Sequence, residues 1–145
     1  MQTDEPIVIE ETFDQAVQAL WAAITDAEQM KDWYFQLDTF RPEVGFTFQF
    51  VGGSPEKPYI HICRVTEVVD LKKLAYSWRY EGYEGESLVS FELFPEGVHQ
   101  TRLVLTHAGL DSFPKTNPDL ARENFREGWK HIIGKSLKDF VDTKS

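Results

Sequence analysis

The sequence has little of several features that mark common classes of protein. Cys63 is the only cysteine among 145 residues, so an intrachain disulfide is excluded and a reducing compartment is favoured. No apolar run approaches the ~18–20 residues that a membrane-spanning helix needs. The N-terminus, MQTDEPIVIEE, lacks the basic and apolar regions of a secretory signal. We therefore expect a cytoplasmic protein without membrane insertion.

Motifs for nucleophilic catalysis and phosphate binding are also missing. The sequence contains no G-x-S-x-G, no P-loop and no G-x-G-x-x-G dinucleotide signature. His61, His99 and His131 show no metal-ligand spacing, and HExxH is absent. We expect neither a metal nor a cofactor, and no catalytic constellation can be assigned.

Positive charge is scarce relative to negative charge. The chain has 15 Lys and Arg against 24 Asp and Glu, a net charge of -9. An anionic surface repels phosphate backbones, so nucleic acids and anionic membranes are not expected as partners. Ordinary solubility explains the same surplus without any partner.

Aromatic residues, in contrast, are abundant. The chain has 11 Phe, 5 Tyr and 4 Trp. Its length favours one domain, expected to span residues 1–145 with a core at about 6–142. A domain of this size buries roughly 68–70% of the surface of its unfolded chain, so large rings must dominate its interior.

Alternating and β-branched patterns predict six strands. After a short first strand, the patterns place hydrophobic residues on one face of each later strand. The glycines and Pro55 of the segment 51–58 predict a flexible loop. The strands are expected at Ile7–Ile9, Gly45–Phe50, Tyr59–Val69, Leu74–Arg79, Val89–Leu93 and Leu103–His107.

Capping and apolar spacing predict three helices. Thr12 with Gln15, and the segment from Thr25 to Glu28, resemble capping boxes that begin two short helices. Asn117-Pro118 predicts the start of a long helix that ends near Asp142. Its apolar face is expected to consist of Ala121, Phe125, Trp129, Ile132, Ile133, Ser136 and Phe140.

This order of elements predicts an α+β fold with one antiparallel sheet. One face of the sheet is apolar, and the last helix is the only predicted element long enough to cover it. Gly128 lies inside that helix, where glycine costs ~1 kcal/mol relative to alanine. Close approach of the sheet, or space left for a ligand, would account for this cost.

The apolar face suggests a ligand cavity between the sheet and the last helix. Ring hydroxyls and indole N–H groups would orient a bound molecule there. A filled core, in which the rings pack on one another, is the alternative. The candidate ligand-binding residues are Trp33, Tyr34, Phe48, Phe50, Tyr76, Trp78, Phe91, His107, Phe113, Trp129 and Ile133.

His107 is the one titratable residue among these candidates with a pKa near neutrality. Its phase with Leu103 and Leu105 points it toward the apolar side of the sheet. It could act as a general base or orient a ligand, or it could be a satisfied histidine at a strand end. Cys63 has no predicted cationic neighbour and is expected to be an inert core thiol.

Several segments occur in the same order in one known family: VQALWAAITDAEQMKDW, VTEVVDLKKLAYSW, TRLVLTHAGL and the Gly128-Trp129 pair. Over about residues 6–142 the chain resembles the family similar to the C-terminal domain of the heat-shock protein 90 ATPase activator. That family belongs to the START and Bet v 1-like (SRPBCC) superfamily. The resemblance implies a helix-grip fold, in which a curved antiparallel sheet of six strands grips the C-terminal helix.

Three functions are compatible with these observations. The first is a binding protein for a small, mostly apolar molecule, without catalysis. The second, implied by the resemblance alone, is an interaction module that stimulates a chaperone ATPase. The third is an enzyme of the cyclase or dehydratase kind that uses His107 with Tyr76 or Tyr34 as acid and base.

Overall fold

The computed structural model describes residues 6–34, 39–54, 56–114, 120 and 122–142. Its strands are β1 (Ile7–Phe13), β2 (Thr47–Ser54), β3 (Lys57–Val69), β4 (Lys73–Tyr80), β5 (Ser87–Gly97) and β6 (Gln100–Ala108). Its helices are α1 (Val17–Thr25), α2 (Ala27–Trp33), α3 (Arg122–His131) and α4 (Lys138–Asp142), with a 3₁₀ turn at Leu110–Ser112. A π-helical turn, Ile132–Leu137, joins α3 to α4.

The six strands form one antiparallel sheet in the order β1-β6-β5-β4-β3-β2. Strands β2 to β6 are a meander, and β1 adds to it beside β6. Register shifts at Val65/Glu67 and Pro95/Gly97 interrupt the ladders, and such irregularities bend a sheet. The predicted α+β helix-grip fold is confirmed, with a curved sheet that carries its helices on one face.

Alternation along the strands determines which residues face the helices. In β5, Val89, Phe91 and Leu93 are buried while the intervening residues are at least partly exposed. The same period places Leu105 and His107 of β6 on the buried face. The predicted inner faces of these strands are confirmed.

The predicted loop over residues 51–58 is wrong. β2 continues to Ser54 and β3 begins at Lys57, so the two strands form one long hairpin. Gly52 is paired with Tyr59, and a Cβ added to Gly52 would lie 2.7 Å from Cε1 of His61. Glycine at this position therefore allows a close approach of the His61 ring, where the sequence suggested only a break.

The two short helices begin later than the predicted capping boxes. Thr12 belongs to β1, and α1 begins at Val17 without a side-chain cap. For α2, the cap is Asp26 rather than Thr25, because a carboxylate oxygen of Asp26 accepts from the backbone N–H of Glu28. Because Thr12 belongs to the extended strand β1, it does not cap the first helix.

The C-terminal helical segment is α3, the π turn and α4. Trp129, Ile133, Leu137 and Val141 are its buried large residues, each four positions after the last. In an α-helix of 3.6 residues per turn, side chains four positions apart are offset by about 40° around the helix axis. The wider π turn reduces this offset, so Leu137 and Val141 face the core instead of the predicted Ser136 and Phe140. The predicted helix start at Asn117-Pro118 and residue Ala121 lie outside the described residues.

Two contacts attach the end of this segment to the start of the chain. The Gln15 side-chain amide donates to the backbone oxygen of Val141 at 2.9 Å. The Lys138 ammonium lies 2.8 Å from a carboxylate oxygen of Glu11. Gly128 is exposed, and a Cβ there would meet no atom of the described residues within 4 Å, so close approach of the described part of the sheet does not explain this glycine.

Candidate ligand-binding site

The residues predicted for the site converge on the concave face of the sheet. Trp33 and Tyr34 stand at the end of α2, and Phe113 follows the 3₁₀ turn. The strands supply Phe48, Phe50, Tyr76, Trp78, Phe91 and His107, and the C-terminal helical segment supplies Trp129 and Ile133. The structure brings these residues together, while their role in binding remains a prediction.

Trp129 lies at the centre of this group. Its ring centroid is 5.7 Å from that of Trp78, 6.1 Å from Phe91 and 6.2 Å from Tyr34. These separations fall within the range of favourable aromatic pairs. The helix therefore grips the sheet through one indole that contacts rings from β4, β5 and the end of α2.

A second row of rings extends from Trp129 toward β2. Phe48 lies 5.0 Å from Tyr76 and 6.3 Å from Phe50, measured between ring centroids. Phe50 in turn lies 5.9 Å from Tyr34 and 5.8 Å from Trp78. These rings form one continuous cluster, which we call the ring cluster: Tyr34, Phe48, Phe50, Tyr76, Trp78, Phe91 and Trp129. A ligand that enters the ring cluster must separate some of these ring pairs.

Phe113 joins the ring cluster through residues that were not predicted. Its ring lies 5.4 Å from Tyr80 and 5.9 Å from Phe125, and Phe125 lies 5.2 Å from His107. Alternation with Trp78 would have placed Tyr80 on the inner face. Phe125 was assigned to the apolar helix face, but nothing in the sequence showed that it meets His107.

A buried hydrogen-bond network connects His107 to the helix and to β5. The Trp129 indole N–H donates to Nδ1 of His107 at 2.9 Å, and Nε2 of His107 lies 2.7 Å from Oγ of Ser87. An indole nitrogen can only donate, so Nδ1 is the acceptor and the single imidazole hydrogen is on Nε2. Ser87 then accepts from His107 and donates to the backbone oxygen of Trp78 at 3.2 Å.

This assignment weighs against His107 as a base. A serine beside a histidine is the arrangement of many nucleophilic enzymes, but there the histidine nitrogen that faces the serine must be unprotonated. Here that nitrogen carries the hydrogen. Burial also lowers the pKa of His107 to about 3, so the ring stays neutral near pH 7 and ties β6 to α3.

Most polar tips of the aromatic residues are bonded inside the protein. The Trp33 indole donates to the backbone oxygen of Ala23, and the Trp78 indole donates to the Tyr80 hydroxyl, each at 2.9 Å. The hydroxyls of Tyr34 and Tyr76 are hydrogen-bonded to each other, with 2.7 Å between their oxygen atoms. Burial raises the pKa of both tyrosines well above the usual value, so both remain protonated.

Two further buried groups border the ring cluster. Burial raises the pKa of the Cys63 thiol, which fits the expected inert core cysteine. His61 stacks on Phe50 with 4.5 Å between ring centroids, and its Nδ1 lies 3.1 Å from the backbone oxygen of Tyr59. Burial lowers the pKa of His61 to about 4, so this ring too is neutral near pH 7.

The described part of the chain contains no cluster of three or more His, Cys, Asp or Glu that could hold a metal ion. Among its described helices, none combines the length and hydropathy required to cross a membrane.

A separate cleft lies outside the ring cluster. It has a volume of about 160 Å³ and is bordered by α1, α2 and α4. None of the predicted site residues lines it. Its lining residues are Gln15, Ala19, Ala22, Gln29, Phe140 and Val141.

Comparison with known proteins agrees with this architecture. Similar solved structures include MLL2253 from Mesorhizobium loti, with 24% identity, TM-score 0.79 and coverage of 97% of this chain and 99% of that one. BH1534 from Bacillus halodurans is 23% identical, with TM-score 0.74 and coverage of 97% and 99%. CalU16 from Micromonospora echinospora is 25% identical, with TM-score 0.71 and coverage of 94% and 73%.

No curated protein matches the sequence significantly. Residues 14–142 match the family described as activator of Hsp90 ATPase homolog 1-like protein. Since this match covers nearly the whole chain, the protein belongs to that family, within the Bet v 1-like helix-grip superfamily.

Proposed function

We propose that the protein binds a small, mostly apolar molecule at the ring cluster, between the sheet and the C-terminal helical segment. The observation that supports this most is the position of Trp129, which carries aromatic contacts to three separate elements at once. Aromatic and apolar linings with a few polar groups are typical of small-molecule sites.

Ligand entry by this route requires the helix and the end of α2 to move relative to the sheet. Tyr34 is only partly buried and forms the C-terminal end of α2. It therefore lies between the ring cluster and the surface. A ligand that replaces the ring pairs of Tyr34 and Trp129 would exchange one set of aromatic contacts for another.

Equilibrium dialysis against lipids, flavonoids and aromatic polyketides tests this proposal. Trp129→Leu removes the central ring and is expected to reduce binding at least tenfold. Val98→Ser alters a side chain that is 81% exposed and is expected to change nothing. Failure of every class to bind, or equal binding to wild type and Trp129→Leu, would refute the proposal.

The family match favours a second candidate, stimulation of a heat-shock protein 90 type ATPase. The description of the family names this activity, and that is the observation behind it. The test is the ATPase rate of the cognate chaperone with and without this protein. An unchanged rate together with no detectable binding would exclude this function.

Cyclase or dehydratase chemistry is the least supported candidate. It requires His107 to exchange a proton with a substrate, yet both ring nitrogens are bonded to Trp129 and Ser87. If His107→Gln retained turnover of an apolar substrate, an essential acid–base role for His107 would be excluded.

A further inference from the structure

The hydroxyl of Tyr80 is a buried donor whose hydrogen has no acceptor among the described residues. Tyr80 is the last residue of β4 and is only 4% exposed. Its oxygen accepts the indole hydrogen of Trp78 at 2.9 Å, and this is the one hydrogen bond that the described part of the chain makes to the hydroxyl. Because buried polar groups in native proteins are nearly always paired, the hydrogen of Tyr80 requires a partner beyond these residues.

Aromatic rings surround Tyr80 without pairing with its hydroxyl. Among the described residues, His61, Phe113 and Tyr59 lie 4.7, 5.4 and 5.5 Å from it, measured between ring centroids. Burial raises the pKa of Tyr80, so the hydroxyl keeps its hydrogen near pH 7. It is therefore a donor in surroundings of low polarity, where a hydrogen bond is stronger than in water.

Trp78 connects this hydroxyl to the ring cluster. The Trp78 ring lies 5.7 Å from Trp129 and 5.8 Å from Phe50, while its indole nitrogen donates to the oxygen of Tyr80. A hydroxyl that accepts a hydrogen bond is polarised by it and becomes a better donor. An acceptor atom bonded to Tyr80 would therefore lie beside Trp78, at the border of the ring cluster.

We propose that the Tyr80 hydroxyl donates its hydrogen to the carbonyl oxygen of an uncharged ketone or ester, while the ring cluster holds the apolar part of that ligand. This inference rests on the proposed binding function and specifies the polar end of the ligand and the residue that binds it. A carbonyl oxygen accepts without donating, which matches a hydroxyl whose own oxygen already accepts from Trp78.

Charge argues for a neutral ligand over an ionic one. The buried polar residues of the described chain are His61, Ser87, Thr101 and His107, and none is an acid, a lysine or an arginine. Both histidines are uncharged near pH 7, because burial lowers their pKa values to about 4 and about 3. A carboxylate or an amine in the ring cluster would have no counter-charge, and burying an unpaired charge is costly.

Three probes of similar size test this inference: acetophenone, ethylbenzene and benzoate. Binding is measured by NMR titration of wild type, Tyr80→Phe and the control Tyr83→Phe, whose parent ring is 39% exposed and lies 6.5 Å from that of Tyr80. Tyr80→Phe is expected to weaken acetophenone binding about three- to tenfold, as loss of one hydrogen bond does, and to leave ethylbenzene binding unchanged. Tyr83→Phe should change neither, and benzoate should bind wild type more weakly than acetophenone.

The comparison of the two neutral probes separates ligand binding from a structural role, because Tyr80→Phe also removes the acceptor of the Trp78 indole. If the hydroxyl served only Trp78, both probes would lose affinity to the same degree. That result overturns this inference and leaves the binding function standing. The same holds if benzoate binds more tightly than acetophenone, or if neither neutral probe binds while members of the larger panel do. Absence of binding by the whole panel overturns both.

A measurement on wild type alone covers the case in which Tyr80→Phe does not fold. Donation by Tyr80 to a ketone strengthens the hydrogen bond that Tyr80 accepts from Trp78. The indole N–H signal of Trp78 is therefore expected to move further downfield at saturation with acetophenone than with ethylbenzene. Equal movement with the two probes would overturn the inference.

Discussion

The indole nitrogen of Trp129 lies 2.9 Å from Nδ1 of His107 and donates its hydrogen to that atom. The two residues are 22 positions apart in the sequence, on α3 and β6. Through this bond the C-terminal helical segment is attached to the sheet by a directional contact as well as by ring packing. The same bond fixes the imidazole hydrogen on Nε2, toward Ser87.

Trp129→Phe is expected to destabilise the protein by about 1–3 kcal/mol, since it leaves Nδ1 of the buried His107 without a donor. Trp21→Phe is the matched control, because it makes the same chemical change at a half-buried indole on α1. Urea unfolding of both variants measures the difference. Equal losses of unfolding free energy would mean that the Trp129–His107 bond contributes nothing beyond ring packing.

Stability is expected to fall as pH falls below about 6.5. Folding lowers the pKa of His107 from 6.5 to about 3 and that of His61 from 6.5 to about 4. Between those values the unfolded chain binds more protons than the folded one. Each histidine therefore lowers the free energy of unfolding by up to about 1.4 kcal/mol for each unit by which the pH decreases. The stabilising effect of the neutral rings is fully present above pH 6.5.

His107→Gln separates this effect from the titration of carboxylates, which both proteins share. Glutamine keeps one donor and one acceptor but does not titrate. The free energy of unfolding, measured with urea at pH 7, 6 and 5, should therefore vary less steeply with pH for His107→Gln than for wild type. At pH 5 the difference in slope should correspond to about one proton. Parallel curves for the two proteins would show that His107 is not held neutral by the fold.

Gly52→Ala is expected to destabilise the protein by about 1–3 kcal/mol, the usual cost of overpacking. The added Cβ would lie 2.7 Å from the His61 ring, and that ring is held by Phe50 and Trp78 at 4.5 and 5.0 Å between centroids. Gly97→Ala is the control, because a Cβ there meets its nearest atom at an ordinary 3.8 Å. Thermal denaturation that ranks the two variants in the opposite order would contradict the close approach.

Gly128→Ala is expected to stabilise the protein by about 0.5–1 kcal/mol, because alanine is the better helix former and the added methyl group meets no described atom within 4 Å. Chemical denaturation measures the change. A loss of stability would contradict the open space around Gly128.

The alternation in β5 was enough to predict the buried positions of Val89, Phe91 and Leu93, because side-chain direction in a strand has a local period of two. It also placed His107 on the inner face. The partners of His107 could not be predicted. Ser87 and Trp129 meet it only through strand register and the placement of the C-terminal helical segment, which are set by contacts far apart in the sequence.

Two other predictions were wrong because they relied on local sequence patterns alone. The Gly-Gly pair at Gly52 was interpreted as the end of a strand, whereas Gly52 leaves room for the His61 ring from the paired strand. Leu137 and Val141 were not predicted to be buried, because the apolar face was drawn with an α-helical period and the π turn changes it. In both cases tertiary contacts, which the local sequence pattern does not show, determine the structure of the segment.

The central claim, that the ring cluster is the binding site, is tested most directly by the indole N–H signals in NMR spectra recorded during titration with a ligand from the panel. The four tryptophans give one signal each. The account predicts shifts for Trp33, Trp78 and Trp129 and none for Trp21. Shifts confined to Trp21, or to residues of the separate cleft such as Ala22 and Phe140, with the other three indoles unmoved, would contradict it.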